Sequence, residues 1–308
     1  STPFNRDIVK ELTDECHKQN IKVHFYYSHL DWGRDDYPLG RTGRNTGRKL
    51  QENWDSYYRF MNNQLTELLT HYGPVRAIWF DGWWDQDQKS GFDWHLPQQY
   101  EMIHKLQPAC LIGNNHHQLP YPGEDIQIFE RDLPGENTFG LSGQAIGHLP
   151  LETCETMNTS WGYKITDNNY KSTEALIRLL VKAAGKDANL LLNIGPQPDG
   201  CIPDTSIERL KNIGKWLEKN GETIYGTRGG VVPPRDWGVT TQKDNKIYVH
   251  ILDWKDKGLF LPITDIKIKK ACLFKNKENI SFSQNKQGLF LQLPEVPTGV
   301  DYIVELQR

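Results

Sequence analysis

The feature that most constrains the fold is a regular alternation of helical patterns with short apolar runs between residue 7 and about residue 227. The first helical pattern, DIVKELTDECHKQN, places Ile8, Leu12 and Cys16 on one face and leads into the strand candidate IKVHFYYS. Alternation of this kind is typical of β/α units built on a parallel sheet. We therefore predict an α/β domain over most of the chain.

Further units repeat the plan. The segment NWDSYYRFMNNQLTELLTHYG carries apolar residues at helical spacing and breaks at Gly73-Pro74 before the strand candidate VRAIWF. The apolar runs ACLIG, IQIF and NLLLNIG are later strand candidates, and helices are predicted over about 173–184 and 204–220. The second of these helices ends at Asn220-Gly221, which predicts a left-handed glycine cap. We count five or six strands where a closed barrel needs eight, so residues 1–228 are predicted to form a (β/α)8-like barrel that is incomplete at its N-terminus.

The pattern changes after GGVVPP. Short alternating runs (NKIYVHIL, IKIKKACLF, GLFLQL and DYIVEL) are separated by Asn, Lys and Gly, and no helical pattern lies among them. This arrangement favours an antiparallel β-sandwich over residues 229–308.

Composition excludes several classes of partner. The chain has 36 basic and 39 acidic residues and no basic run long enough to follow phosphates, so nucleic acid is not an expected partner. No apolar stretch reaches the ~18 residues of a membrane span, and the N-terminus lacks the apolar core of a signal peptide. Five scattered cysteines show neither zinc-ligand spacing nor a disulfide pattern. Ten tryptophans favour carbohydrate binding, because aromatic faces stack on sugar rings.

The stretch IWFDGWWDQD ends an apolar run on Asp81. In a parallel β/α barrel the carboxyl ends of the strands form the active-site face, and Gly82 allows the chain to turn sharply there. Asp81 is therefore a candidate catalytic carboxylate, although a role as a cap of the next turn is also open. Asp85 and Asp87 are predicted to be solvated loop acids.

Glycoside hydrolysis requires a second carboxyl group. Glu130 ends EDIQIFE much as Asp81 ends RAIWFD. Glu152 in LETCETMNTSWGY is a competing candidate, and its alternative role is a hydrogen bond that orients the pocket. Spacing alone does not exclude the remaining acids of this region, which are Glu124, Asp125, Asp132, Glu136 and Glu155.

Four motifs closely resemble the alpha-L-fucosidases of glycoside hydrolase family 29: IWFDG, LETCETMNTSWGYK, NYKSTEALIRLLVKAAGKDANLLLNIGPQPDGCIP and IGKWLEKNGETIYGTR. The likeness covers nearly all of residues 5–228. It implies a retaining, exo-acting enzyme that releases terminal fucose from oligosaccharides or glycoconjugates without a metal or cofactor. The resemblance makes Asp81 the nucleophile of a double displacement, and the match of DIQIFE to a DFxTxE-like stretch of some relatives favours Glu130 over Glu152 as the acid/base.

Sugar-binding residues are inferred more loosely from the same motifs and from strand ends. Trp79, Trp83 and Trp84 are expected to wall the site and to stack on the methyl face of fucose. The candidates for hydrogen bonds to sugar hydroxyls are Tyr27, Asn114, His116 and His117. For each of these residues, packing or hydrogen bonding within a loop is an equally open role. The adjacent histidines have no third ligand at a recognisable spacing, so no metal site is predicted.

The family's HWG and KHHDG motifs, whose histidines and tryptophan contact fucose, are absent from this sequence. We therefore expect the chain to be a fragment of a longer protein, with a truncated homologue as the alternative. The alternative functions are a noncatalytic fucose- or carbohydrate-binding homologue, a truncated inactive glycosidase, and a glycosidase of different sugar specificity. Export of many bacterial relatives suggests a periplasmic or extracellular location.

Overall fold

A computed structural model of the chain describes residues 5–308 and divides it into two compact units. Unit 1 extends to residue 128 and includes residues 143–150, while unit 2 comprises residues 129–142 and 151–308. The helices are α1 (Ile8–Lys18), α2 (Trp54–His71), α3 (Leu96–Leu106), α4 (Thr173–Gly185) and α5 (Asp204–Asn220), with short 3-10 helices at Trp83–Gln86 and Gly221–Thr223.

Six parallel strands are observed, which agrees with the predicted five or six. They are β1 (Val23–Ser28), β2 (Val75–Asp81), β3 (Leu111–Asn114), β4 (Gln127–Glu130), β5 (Leu151–Thr156) and β6 (Ala188–Asn193). Strands β1, β2 and β3 form one three-stranded sheet in that order, and β4, β5 and β6 form another. An isolated parallel bridge joins Gly113 to Ile126. The described residues thus form two short parallel sheets, and a closed barrel is not seen among them.

The core of unit 1 lies between the β1-β2-β3 sheet and α2. Asn53 begins α2 by accepting a hydrogen bond from the Ser56 backbone N–H, which satisfies one of the free donors at a helix start. Met61, Leu65 and Leu69 follow at intervals of four residues and are buried, so they form one apolar face. Gly73, with φ of 74°, then lets the chain leave the helix and enter β2.

The apolar residues that α1 places on one face are largely exposed in the described structure, since Ile8 is 55% and Leu12 is 63% exposed. The predicted cap of α5 is wrong. Gly221 has φ of −58°, so α5 continues into a 3-10 turn instead of ending in a left-handed cap. A Cβ at Gly221 would lie 2.8 Å from the Tyr225 ring, and this close contact explains the glycine.

The C-terminal part of unit 2 consists of antiparallel strands: β7 (Arg228–Gly229), β8 (Gly238–Lys243), β9 (Lys246–Ile251), β10 (Gly258–Leu261), β11 (Lys270–Leu273), β12 (Ser281–Asn285), β13 (Gly288–Gln292) and β14 (Tyr302–Gln307). They form a five-stranded sheet, β11-β14-β9-β8-β7, and a three-stranded sheet, β10-β13-β12. Val249, Val304, Leu261 and Leu291 come from both sheets and share one buried apolar cluster. The two sheets therefore pack face to face as a sandwich, as predicted, while the predicted boundary at residues 228 and 229 stays a prediction.

Unit 2 also contains a buried polar contact. His250 Nδ1 lies 2.7 Å from Asp301 Oδ2, and both side chains are fully buried. The hydroxyl of Thr241 donates to the Thr223 carbonyl oxygen at 2.7 Å, and its oxygen lies 3.1 Å from His250 Nε2. These contacts join the 3-10 turn that follows α5 to the five-stranded sheet.

Candidate active site

Asp81 is the last residue of β2, and the backbone behind it turns sharply. Gly82 has φ of 96°, a conformation that residues with a Cβ rarely adopt. A Cβ at this position would also lie 2.8 Å from the Leu30 side chain. Glycine is therefore required on two grounds, and it directs the chain away from the Asp81 carboxylate.

Three neutral donors surround the Asp81 carboxylate. The Tyr26 hydroxyl donates to Oδ2 at 2.6 Å, while the Trp84 indole and the Asn115 amide donate to Oδ1 at 3.3 and 3.4 Å. An ionised carboxylate is an acceptor only, so this set of donors matches the ionised form. The 3-10 helix that follows has no side-chain cap, so the structure does not use Asp81 as the cap of that turn.

The carboxylate faces a cavity of about 490 Å³, lined in part by Tyr26, Trp32, Asp81 and Trp84. All these residues belong to unit 1. A solvent-accessible carboxylate fixed by hydrogen bonds at the end of a parallel strand is well placed to act as a nucleophile or a base.

The hydroxyl beside Asp81 belongs to Tyr26 and not to the predicted Tyr27. Ser28 pairs with Asp81 in the parallel register, so Tyr26 lies on the same face of the sheet, whereas Tyr27 lies on the opposite face. The Tyr27 hydroxyl instead donates to Gln64 on α2, at 2.8 Å. Burial raises the pKa of Tyr27 well above its usual value, as expected for a hydroxyl packed against a core.

The three predicted tryptophans lie in different places. Trp84 contacts Asp81 directly, and Trp79 stacks on the ring of Tyr26 at 5.5 Å with an interplanar angle of 24°. Trp83 packs edge-on against His116 at 6.1 Å and is partly buried in the core of unit 1. Trp79 and Trp84 therefore support the surroundings of Asp81, and Trp83 packs behind them.

Asn114 and His116 belong to a buried polar cluster beside the site. Tyr100 donates to Glu124 at 2.9 Å and accepts from the Asn114 amide at 2.8 Å. His116 Nδ1 accepts from the Gln118 backbone N–H, so Nε2 carries the proton and lies 3.0 Å from Glu124 Oε1. These contacts fix the chain around Asn115, which the sequence analysis did not select and which contacts Asp81.

His117 lies apart from this cluster. It has φ of 61° and lines a second cavity, together with Tyr121 and Gln144. The remaining acid/base candidates have structural partners: Asp125 contacts His104, Asp132 accepts from Thr138 and Phe139, Glu136 pairs with Lys186, and Glu155 with Lys171.

Asp85 is not a solvated loop acid as predicted, because it is only 1% exposed. Its carboxylate accepts from the Tyr37 hydroxyl at 2.7 Å and from the Thr42 backbone N–H and hydroxyl at 2.7 and 2.6 Å. The long connection between β1 and α2 is thereby fastened beside Asp81. Asp87 is partly exposed and pairs with Arg41 at 2.8 Å.

A buried histidine lies beneath the site. His29 stacks on Phe80 at 4.5 Å and its Nε2 is 3.2 Å from Gln99 Oε1. Burial lowers the pKa of His29 from its ordinary 6.5 to about 4. His29 is therefore neutral at pH 7.

Glu130 and Glu152 occupy different levels of the β4-β5-β6 sheet. Hydrogen bonds from Gln127 N to the Pro150 oxygen and from Arg131 N to the Cys154 oxygen make β4 and β5 parallel. Glu130 is the last residue of β4, whereas Glu152 is the second residue of β5. Glu130 therefore lies at the carboxyl end of its strand, where parallel β/α folds place catalytic groups, and Glu152 lies nearer the amino end.

The backbone around Glu130 is held on both sides. Its N–H donates to the Ser142 hydroxyl at 3.0 Å, and that hydroxyl donates to the Glu130 carbonyl oxygen at 2.9 Å. Arg131 follows with φ of 61°, a conformation that is uncommon outside glycine and is often found near functional sites. Its guanidinium lies 4.9 Å from the Trp161 ring centre and donates to the Thr159 carbonyl oxygen.

A comparison with family models identifies the kind of chain that carries this arrangement. Residues 1–222 match the model described as Alpha-L-fucosidase. The chain belongs to the alpha-L-fucosidase family.

The curated alpha-L-fucosidases that this chain matches are longer than the chain. Tissue alpha-L-fucosidase from Mus musculus is 27% identical over 320 residues, which cover 96% of this chain and 64% of the mouse protein. Its Homo sapiens counterpart is 27% identical, with 95% of this chain and 62% of the human protein covered. The chain thus spans a little over three fifths of the length of the curated relatives it matches.

Solved alpha-L-fucosidase structures share the fold. Alpha-L-fucosidase isoenzyme 1 from Paenibacillus thiaminolyticus has a TM-score of 0.82 and 32% identity, covering 99% of this chain and 76% of that one. A trapped covalent intermediate of an alpha-L-fucosidase GH29 from Bacteroides thetaiotaomicron, in complex with 2-fluoro-fucosyl fluoride, has a TM-score of 0.79 and 25% identity, covering 100% of this chain and 72% of that one.

Among residues 5–308, no cluster of three or more His, Cys, Asp or Glu side chains is arranged to hold a metal ion. In the same range no helix combines the length and the apolar character that a bilayer crossing requires.

Proposed function

We propose that the whole protein is a retaining exo-alpha-L-fucosidase that removes terminal fucose from oligosaccharides or glycoconjugates. The observation that carries this proposal is the Asp81 carboxylate, which Tyr26, Trp84 and Asn115 hold at the end of β2 in an open cavity. Family membership supports the sugar, and the trapped covalent intermediate of a relative supports a mechanism with a covalent step.

In the proposed first step, a carboxylate oxygen of Asp81 attacks C1 of the fucosyl group. The bond between C1 and the leaving-group oxygen breaks, and the carboxyl group of Glu130 gives its proton to that oxygen. The product is a fucosyl ester of Asp81. Tyr26 forms the shortest hydrogen bond to the carboxylate, and we assign it the role of orienting Asp81 for this attack.

In the proposed second step, the Glu130 carboxylate takes a proton from water while the water oxygen attacks C1. The ester bond to Asp81 breaks, and fucose leaves with the configuration of the substrate. Glu130 is preferred to Glu152 because it lies at the carboxyl end of its strand.

The wider organisation of the whole protein is part of the proposal. We propose that the six parallel strands belong to a (β/α)8-like barrel, with residues 229–308 as the following sandwich domain. The proposed location is periplasmic or extracellular.

The deciding experiment replaces Asp81 by Gly in the whole protein. The matched control is Asp87→Asn, which changes an acid just after the 3-10 helix that follows Asp81. Turnover of an aryl fucoside should fall by at least about 10³-fold in Asp81→Gly and remain nearly unchanged in Asp87→Asn. Added azide should restore turnover and yield fucosyl azide of inverted configuration, because azide fits the space left by the carboxylate. Full turnover by Asp81→Gly would exclude the mechanism.

A labelling experiment tests the covalent step separately. Incubation with 2-fluoro-fucosyl fluoride followed by digestion and mass spectrometry should place the label on the peptide that contains Asp81. Binding of fucose without label or turnover would instead support a noncatalytic carbohydrate-binding protein.

The acid/base role is tested with paired Glu130→Gln and Glu152→Gln variants. Loss of the acid should slow an unactivated fucoside much more than fucosyl fluoride, which needs no proton to leave. Glu130→Gln is expected to show this split, and the same split in Glu152→Gln alone would move the role to Glu152.

A further inference from the structure

Trp32 is an exposed aromatic residue in the same cavity as Asp81. It lies on the connection between β1 and α2, is 46% exposed, and lines the cavity together with Asp31 and Ser28. Single exposed aromatic side chains are common on protein surfaces, so the informative property of Trp32 is its place in this cavity. Its position beside the carboxylate therefore calls for an explanation that the two chemical steps do not supply.

The indole of Trp32 is held by a directed chain of hydrogen bonds. Thr42 gives its hydroxyl proton to Asp85, at 2.6 Å, because a carboxylate can only accept. The lone pairs of the Thr42 oxygen are then available to the Trp32 indole N–H, which lies 3.0 Å away. The ring orientation is thus set by a buried carboxylate and not by chance packing.

Backbone contacts fix the other side of the ring. Gly43 has φ of 68°, and a Cβ there would lie 2.1 Å from Trp32 Cδ1. At Gly40 a Cβ would lie 1.9 Å from Asp85 Oδ2. The chain therefore approaches both Trp32 and Asp85 as closely as glycine permits, so Trp32 is held in place while part of its ring stays exposed.

The residues that line the cavity indicate which kind of ligand fits the exposed part of the Trp32 ring. A flat aromatic surface binds the apolar face of a sugar ring, and Asp31, Asp81 and Ser28 offer acceptors for hydroxyl groups. None of the described residues that line this cavity is basic, and two of them are carboxylates. A sulfated or carboxylated sugar would be repelled there, so the lining fits a neutral sugar.

We infer that Trp32 forms the subsite for the leaving-group sugar and that this sugar is neutral, with Thr42 and Asp85 as positioning residues. The inference rests on the proposed fucosidase function, since it concerns the group that the reaction releases. It adds that the preferred substrates have a sugar as the leaving group and not a small aryl group or a single atom.

The test compares two substrates in the whole protein. The first is alpha-L-fucosyl fluoride, which has no leaving-group ring. The second is chosen from a panel of fucosyl disaccharides, linked 1→2 to galactose or 1→3, 1→4 and 1→6 to N-acetylglucosamine, as the one with the highest kcat/KM. In Trp32→Ala the ratio of kcat/KM for the disaccharide to kcat/KM for the fluoride should fall by about 10-fold, mainly through KM.

Three further variants separate positioning from folding. Thr42→Val removes the acceptor for the indole and should lower the same ratio by a few-fold (~3-fold), while Thr42→Ser keeps the hydroxyl and should restore it. Phe260→Ala removes an exposed aromatic side chain of the sandwich, 51% exposed, and should leave the ratio unchanged. Circular dichroism spectra and thermal midpoints show that each variant is folded.

The outcomes are distinguishable. Equal losses on the fluoride and the disaccharide in Trp32→Ala, or a wild-type protein that hydrolyses the fluoride but no disaccharide, would overturn the subsite and leave the fucosidase proposal intact. A wild-type protein that hydrolyses none of these substrates would overturn the proposed function and the subsite with it. Faster hydrolysis of a sulfated disaccharide than of its neutral counterpart would overturn the assignment of a neutral sugar.

Discussion

Around Asp81, unit 1 is organised by buried polar groups: Asp85 holds Tyr37 and Thr42, and Glu124 holds Tyr100 and His116. The main core of the sandwich of unit 2 is an apolar cluster that both sheets share. A hydrogen-bond network places particular atoms but fails when one partner is lost. An apolar core stabilises more evenly and tolerates small changes of shape. The site region should therefore combine effects on activity and stability, and the sandwich should affect stability alone.

The largest effect on stability is expected from Asp85→Ala. The substitution leaves the buried Tyr37 hydroxyl and two part-buried donors of Thr42 without their acceptor, so the free energy of unfolding should fall by about 4 kcal/mol. The kcat/KM for fucosyl disaccharides should fall as well, because Trp32 loses its support. Urea denaturation and kinetics on the same samples measure both quantities. Asp87→Asn is the control, and a surface ion pair of this kind is worth under about 1 kcal/mol.

A matched change in the sandwich should separate stability from activity. Leu261 is fully buried in the cluster that both sheets share, so Leu261→Ala should lower the free energy of unfolding by about 3 kcal/mol. The kcat/KM for fucosyl fluoride should stay within about 2-fold of wild type at 20 °C, where the variant is still folded. A large loss of activity without loss of stability would show that the sandwich contributes to catalysis.

His29 should make the site region sensitive to acid. Its pKa in the folded protein is about 4, below the ordinary 6.5. As the pH falls, the unfolded chain therefore binds a proton at His29 before the folded chain does. The stability that neutral His29 provides is complete above about pH 6.5 and is lost between there and pH 4, by roughly 3 kcal/mol in total. Unfolding free energies measured at pH 7, 5.5 and 4 should show this slope in the wild type and a smaller slope in His29→Gln. Parallel slopes would contradict the assignment.

The smallest effects concern two helical glycines of unit 2. A Cβ at Gly185, at the end of α4, would lie 2.3 Å from Val239 Cβ on β8, so Gly185→Ala should destabilise by about 1–3 kcal/mol. A Cβ at Gly214 in α5 has nothing within 4 Å, so Gly214→Ala should stabilise by about 0.5–1 kcal/mol. Thermal midpoints should therefore move in opposite directions, and equal shifts would show that α4 does not pack tightly on β8.

Strong periodic patterns predicted most of the elements. The helices α1, α2, α4 and α5 and the strands β1, β2, β4 and β6 carry apolar residues at a clear spacing, and all were predicted close to their observed positions. Strand β5 was not predicted as an element, because its sequence LETCET is largely polar. Its last four residues, 153–156, are nevertheless buried. Helix α3 was not predicted, since the first turn of its sequence LPQQYEMIHKL holds a proline and two glutamines.

The surroundings of Asp81 were predicted less well than Asp81 itself. Tyr26 follows from the two-residue alternation of β1 only when the register of Ser28 with Asp81 is known. Asn115 lies one residue beyond the observed end of β3 and contacts Asp81 from there. Burial of Asp85 depends on an irregular connection of about 25 residues between β1 and α2, whose course no local pattern indicates.

The attachment of that connection to Asp85 has a consequence for protein engineering. Residues 37–42 are fastened to a carboxylate that lies outside the connection itself, on the segment that follows β2. The segment from Trp32 to Thr42 can therefore be treated as an exchangeable cassette, provided that a graft keeps the tyrosine and the threonine that bind Asp85. Libraries that keep Gly40 as well as these anchors would vary the connection while the carboxylate at the end of β2 keeps its own hydrogen-bond partners.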